Sequence, residues 1–192
     1  MSMFKELNAA CTKLLAEFEI NAERMKDLIY PLSDRQVNWR PEYDKWSVLD
    51  NLLHINITNQ SYLDNILGKL NVLHKAEKPL IQDAEWSILG RFFLYLMEPP
   101  YHLRFKAPKK LLPKNPLLRE ETVLQFMDIH NKIEAMLNQA VYYRLKGLRF
   151  YSPGSRHFSW SFVEIVSILA AHERRHLWQA EQIVSLPLFP QK

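Results

Sequence analysis

Cysteine is almost absent: Cys11 is the only one in 192 residues. No intrachain disulfide can form, which fits a reducing cytoplasm and leaves stability to buried apolar surface. Glycine is scarce too, and four are too few for the repeated tight hairpins of an all-β sandwich. Long apolar runs are missing. The longest mostly apolar stretch, Trp86 to Met97, contains Arg91 and is too short to span a bilayer. The opening residues Met1-Ser2-Met3-Phe4-Lys5-Glu6 lack the apolar core of a signal peptide. Neither sign of charge dominates, and a net charge of +4 selects no class of partner. The expectation is one soluble, cytoplasmic domain over residues 1–192, without a membrane span.

What is abundant favours helix: Leu, Ala, Glu, Lys, Gln and Met recur throughout. The spacing predicts a first helix over about 3–29. Phe4, Leu7, Cys11, Leu14, Phe18, Met25 and Leu28 form its apolar stripe, with one gap at Asn21. Leu32 to Lys45 reads as a polar connection. Ser47 and Asp50 form a capping box that opens a second helix, about 47–68, with Gly68 as its stop. Residues 69–118 are broken by six prolines, with one short amphipathic helix expected near Ala84 to Met97. So long a connection is expected to fold over the bundle. A third helix is predicted over about 120–145, closed by Gly147, and Ser152-Pro153-Gly154-Ser155 turns the chain. Ser161 and Glu164 then cap a fourth helix, about 161–185. Four long helices imply an all-α four-helix bundle.

The fourth helix carries the chemistry. Its seam reads Phe162, Ile165, Leu169, His172, His176, Gln179, Ile183, at alternating spacings of three and four. Two imidazoles and an amide thus fall on a core-facing stripe. Unpartnered, each would cost about 1–3 kcal/mol. Histidines one turn apart can converge on one cation. His172-Glu173-Arg174-Arg175-His176 also matches the H-E-x-x-H metalloprotease helix, but no histidine occurs among the residues after His176. A third ligand is therefore sought upstream, among His54, His74, His102, His130 and His157. On a helical wheel His54 lies opposite the apolar stripe of its helix, and His130 lies beside the seam of the third.

Trp46-Ser47 followed by His54 resembles the start of the second helix in DinB-like proteins. His172-Glu173-Arg174-Arg175-His176-Leu177-Trp178-Gln179 resembles their closing H-x-x-x-H-x-x-Q helix. The phrases Leu32 to Pro41 and Phe105-Lys106-Ala107-Pro108 are similar too. The resemblance, to the DinB and YfiT-like superfamily, covers most of the chain. It implies an up-down-down-up four-helix bundle, a metal site of His54, His172 and His176, and a homodimer.

The function implied is a metal-dependent enzyme with zinc or nickel as cofactor. It would activate a low-molecular-weight thiol, as an S-transferase does, or water, as a hydrolase does, toward a small-molecule substrate. Glu173 is a candidate general base, although it points about 100° round the helix from His172. Its alternative is a solvated carboxylate paired with a neighbouring arginine. Gln179 is a candidate for supporting the ligands from behind. The competing function is a non-catalytic, metal-stabilised stress-response or interaction protein. Lys106, Lys109, Lys110, Lys114 and Arg119 cluster, but without a nucleic-acid-binding motif they read as a solvated basic face, so no specific nucleic acid is expected.

Overall fold

The computed structural model describes residues 6–100, 103, 106–113 and 118–191. Residues 3–5 of the expected first helix, and His102, Phe105, Lys114 and Pro116, lie outside them. Among the described residues the chain forms α1 (Leu7–Ile29), α2 (Asp34–Val37), α3 (Val48–Leu70), α4 (Ile88–Met97), α5 (Arg119–Ala140) and α6 (Phe162–Val184). A 3-10 turn covers Lys109–Leu111, and β1 (Phe150–Ser152) pairs antiparallel with β2 (Ser155–Trp160). None of these helices is long and apolar enough to cross a membrane.

Cross-helix contacts set the directions of the four long helices. Glu17 meets Arg174, Asn21 meets Glu173 and Arg24 meets Glu181, so α1 and α6 run parallel. Asn51 meets His176 while Asn59 meets Glu173, so α3 runs against α6. Phe18 touches His130 while Arg119 donates to the Leu32 carbonyl, so α5 runs against α1. The result is the up-down-down-up bundle. Because α3 and α5 are parallel, the chain must return along a 23-residue helix, about 34 Å, before starting the next. That is the reason for the long connection after α3.

Both expected capping boxes form. Ser47 and Asp50 exchange hydrogen bonds at the start of α3, and Ser161 and Glu164 do so at α6. Glu164 also accepts from the backbone N–H and hydroxyl of Ser87, the N-cap of α4. A Cβ at Gly90 would lie 2.2 Å from Glu164 Oε1, so only glycine lets α4 dock there. That helix begins at Ile88, later than the expected Ala84.

Four local expectations are corrected. Gly68 does not stop α3, which continues because Leu70 is buried in the core and Asn71 caps the end. The third long helix ends at Ala140, not 145. Backbone N–H groups of Ala76 and Leu80 take the Tyr142 and Val141 carbonyls, and Leu145 N–H goes to Gln82 Oε1, so the connection consumes what another helical turn needs. The turn around Ser152 to Ser155 belongs to a β-hairpin. The polar connection after Pro31 contains α2, held by a Ser33/Gln36 capping box.

The two glycines outside tight packing have opposite expected responses. A Cβ at Gly68 meets nothing within 4 Å, whereas Gly147 has φ +79°. Gly68→Ala is expected to raise stability by about 0.5–1 kcal/mol. Gly147→Ala is expected to lower it by about 1–2 kcal/mol. Urea unfolding midpoints of the two variants check both signs.

Candidate metal centre

Ser47 fixes the first turn of α3 and so sets the rotation of His54, two turns on. The imidazole faces away from the bundle centre, as the helical wheel requires. It is nonetheless buried, because the connection crosses that face: the Leu111 carbonyl, from the 3-10 turn, lies 2.8 Å from His54 Nδ1. His172 and His176 approach from α6. One potential ligand atom from each of His54, His172 and His176 lies within 4.8 Å of the others. The ring centroids are 5.1 Å apart for His54–His172 and 4.5 Å for each of the other two pairs. Trp46 leans on His54 and His176, closing the near side.

Burial lowers the pKa of all three imidazoles. For His172 and His176 the shift is large, and charge repulsion from the other histidines and from Arg175 adds to it. The Arg175 guanidinium is held nearby by donating to the carbonyls of Leu96 and Leu103. Neutral imidazole is the form that ligates a metal. His54 Nδ1–H donates to the Leu111 carbonyl and His176 Nδ1–H to Asn51 Oδ1, 3.0 Å away, which leaves each Nε2 lone pair available. His172 Nδ1 is buried with no hydrogen-bond partner among the described residues. Tetrahedral zinc–imidazole ligands sit about 3.4 Å apart. Three imidazoles shifted toward the neutral form, two of them oriented by hydrogen bonds, fit a divalent cation on this scale.

The other sequence candidates fall elsewhere. His130 is buried in the bundle interior, with Nε2 2.9 Å from Glu173 Oε1. Glu173 is fully buried, so it is not a solvated carboxylate paired with arginine. It also accepts from Asn21 Nδ2 at 2.8 Å and Asn59 Nδ2 at 2.5 Å. One residue from each long helix thus meets in a single polar layer, with apolar clusters on both sides along the bundle. The gap at Asn21 in the first apolar stripe marks this layer. Asn59 and the supporting role of Asn51 carry no comparable sequence signal. Gln179 lines the cavity with the histidines.

A cavity of about 740 Å³ opens from the three histidines. α3 contributes His54, Thr58 and Tyr62, one turn apart on a single face. α6 forms the opposite wall, and α4, the 3-10 turn and the hairpin close the remainder. No carboxylate occurs among the described residues that line it.

Two outcomes follow for stability. With folded pKa values below the ordinary 6.5, the unfolded chain binds these protons first as pH falls. Their contribution to stability is complete above pH 6.5 and is lost on acidification toward the folded values. Chelator-treated protein is therefore expected to have a lower urea midpoint at pH 5.5 than at 7.5, and His172→Gln to flatten that slope. Glu173→Ala strands three buried partners and is expected to cost about 3–5 kcal/mol by the same assay.

No protein of curated function matches this chain. A similar solved structure is YfiT from Bacillus subtilis, described as a probable metal-dependent hydrolase with an unusual four-helix bundle topology. Its TM-score is 0.59 at 12% identity, over 91% of this chain and 86% of that one, so the likeness is one of fold. The family model of the DinB superfamily matches residues 17–180, a span that contains His54, His172 and His176. Bundle topology and family model agree, and the chain belongs to the DinB superfamily.

Proposed function

We propose that His54, His172 and His176 hold one divalent cation, zinc or nickel, and that the chain is an enzyme. In this reading water or a low-molecular-weight thiol attacks an electrophilic substrate in the cavity. The observation that carries it is the set of three neutral imidazoles, converging from two helices on the end of a deep cavity. The described function of YfiT supports the hydrolytic form of the reading.

A cation bound there supplies Lewis acidity, which brings the pKa of water or a thiol toward neutrality. The protein supplies orientation and exclusion of water. The Leu111 carbonyl and Asn51 fix two rings, while burial favours the neutral form of all three and Arg175 adds to it at His172 and His176. Trp46 and Leu111 shield the site. Glu173 is engaged by Asn21, Asn59 and His130, and no other carboxylate is at hand among the described cavity residues. The reading accordingly assigns no protein general base.

Metal analysis of purified protein tests it. About one equivalent per chain is expected for the wild type, with at least a tenfold loss of affinity in His54→Ala, His172→Ala and His176→Ala. Folded His130→Ala is expected to keep its metal. Unchanged metal content in the three ligand variants would refute the assignment. If metal binds where assigned but neither ester hydrolysis nor thiol conjugation is detected, and chelation melts the fold, the metal is structural.

A further inference from the structure

The cavity extends well past the three histidines, and its lining is mostly apolar, with Lys106 and Arg175 as the charged residues among those described. Along α3 its wall runs from His54 through Thr58 to Tyr62, two helical turns or about 12 Å. Phe93, Met97 and Leu169 line it from α4 and α6, and Ser152 and Phe158 from the hairpin region. At about 740 Å³ it exceeds what a water molecule and a few-atom electrophile require, and lies in the upper range of small-molecule sites. The Tyr62 hydroxyl, two turns along α3 from His54, is paired with Ser152 Oγ at 3.1 Å.

We propose that the substrate is an elongated, largely apolar molecule whose reacting group lies at the histidines. Its body fills the slot between α3 and α6. The inference rests on the metal-centre reading for the position of the reacting group only. The slot stands on the cavity itself.

Straight-chain alkanohydroxamic acids of two to ten carbons, titrated calorimetrically into zinc-loaded protein, test the slot. Affinity is expected to rise about three- to fourfold per methylene, then level off once the chain spans the slot. Ser152→Phe, beside Tyr62 and away from the histidines, is expected to bring the plateau to a shorter chain. A flat series overturns the proposal. A matched series of 1-alkanols, titrated into chelator-treated wild type, separates it from the metal reading and needs no variant. If the alkanols gain affinity with length but zinc does not improve hydroxamate binding, the slot stands and the metal reading fails. If zinc improves binding and neither series gains with length, the slot fails and the metal reading stands.

Discussion

The buried carboxylate of Glu173 is the constraint on which the remaining geometry depends. It takes hydrogen bonds from Asn21 on α1, Asn59 on α3 and His130 on α5. A buried charge tolerates few other arrangements, because any rotation or slide of α6 that breaks these bonds strands polar groups away from water. With α6 so fixed, His172 and His176 can only present their rings outward, toward α3 and the connection. The interior layer and the histidine cluster are two faces of one helix, and the first sets the second.

The connection after α3 completes the site from outside. It is long because two successive helices are parallel, and that length lets it do more than connect. Its 3-10 turn covers His54 and supplies the carbonyl that orients the ring. α4 docks on α6 through Glu164 and Ser87, and its C-terminal carbonyl at Leu96 helps hold Arg175 close to the histidines. Burial favours the neutral form of all three rings, and repulsion from neighbouring histidines and from that guanidinium adds to it at His172 and His176. The same elements wall an apolar slot that leads away from the cluster.

Much of the architecture was legible in local patterns. The boxes at Ser47 and Ser161 placed two helix starts to within a residue, since capping is decided by neighbours in sequence. The seam of α6 placed His172 and His176 on one stripe. Helix ends were less legible: Gly68 and Gly147 looked like stops, yet the burial of Leu70 carried α3 onward and partners at residues 76, 80 and 82 ended α5 early. The hairpin was missed because its pairing partners lie on either side of a turn with no strong alternating pattern.

Glu173 and His54 mark the boundary between the two kinds of information. By itself the sequence determined an all-α bundle, two imidazoles one turn apart and a set of histidines from which a third partner had to come. Tertiary structure alone decided that Glu173 enters the bundle centre, that His130 serves it there, and that His54 is covered and turned toward α6. Periodicity reports which residues share a face of one helix. Which face meets water, another helix or a crossing loop depends on contacts between residues more than a hundred positions apart, such as Asn51 with His176 and Asn59 with Glu173.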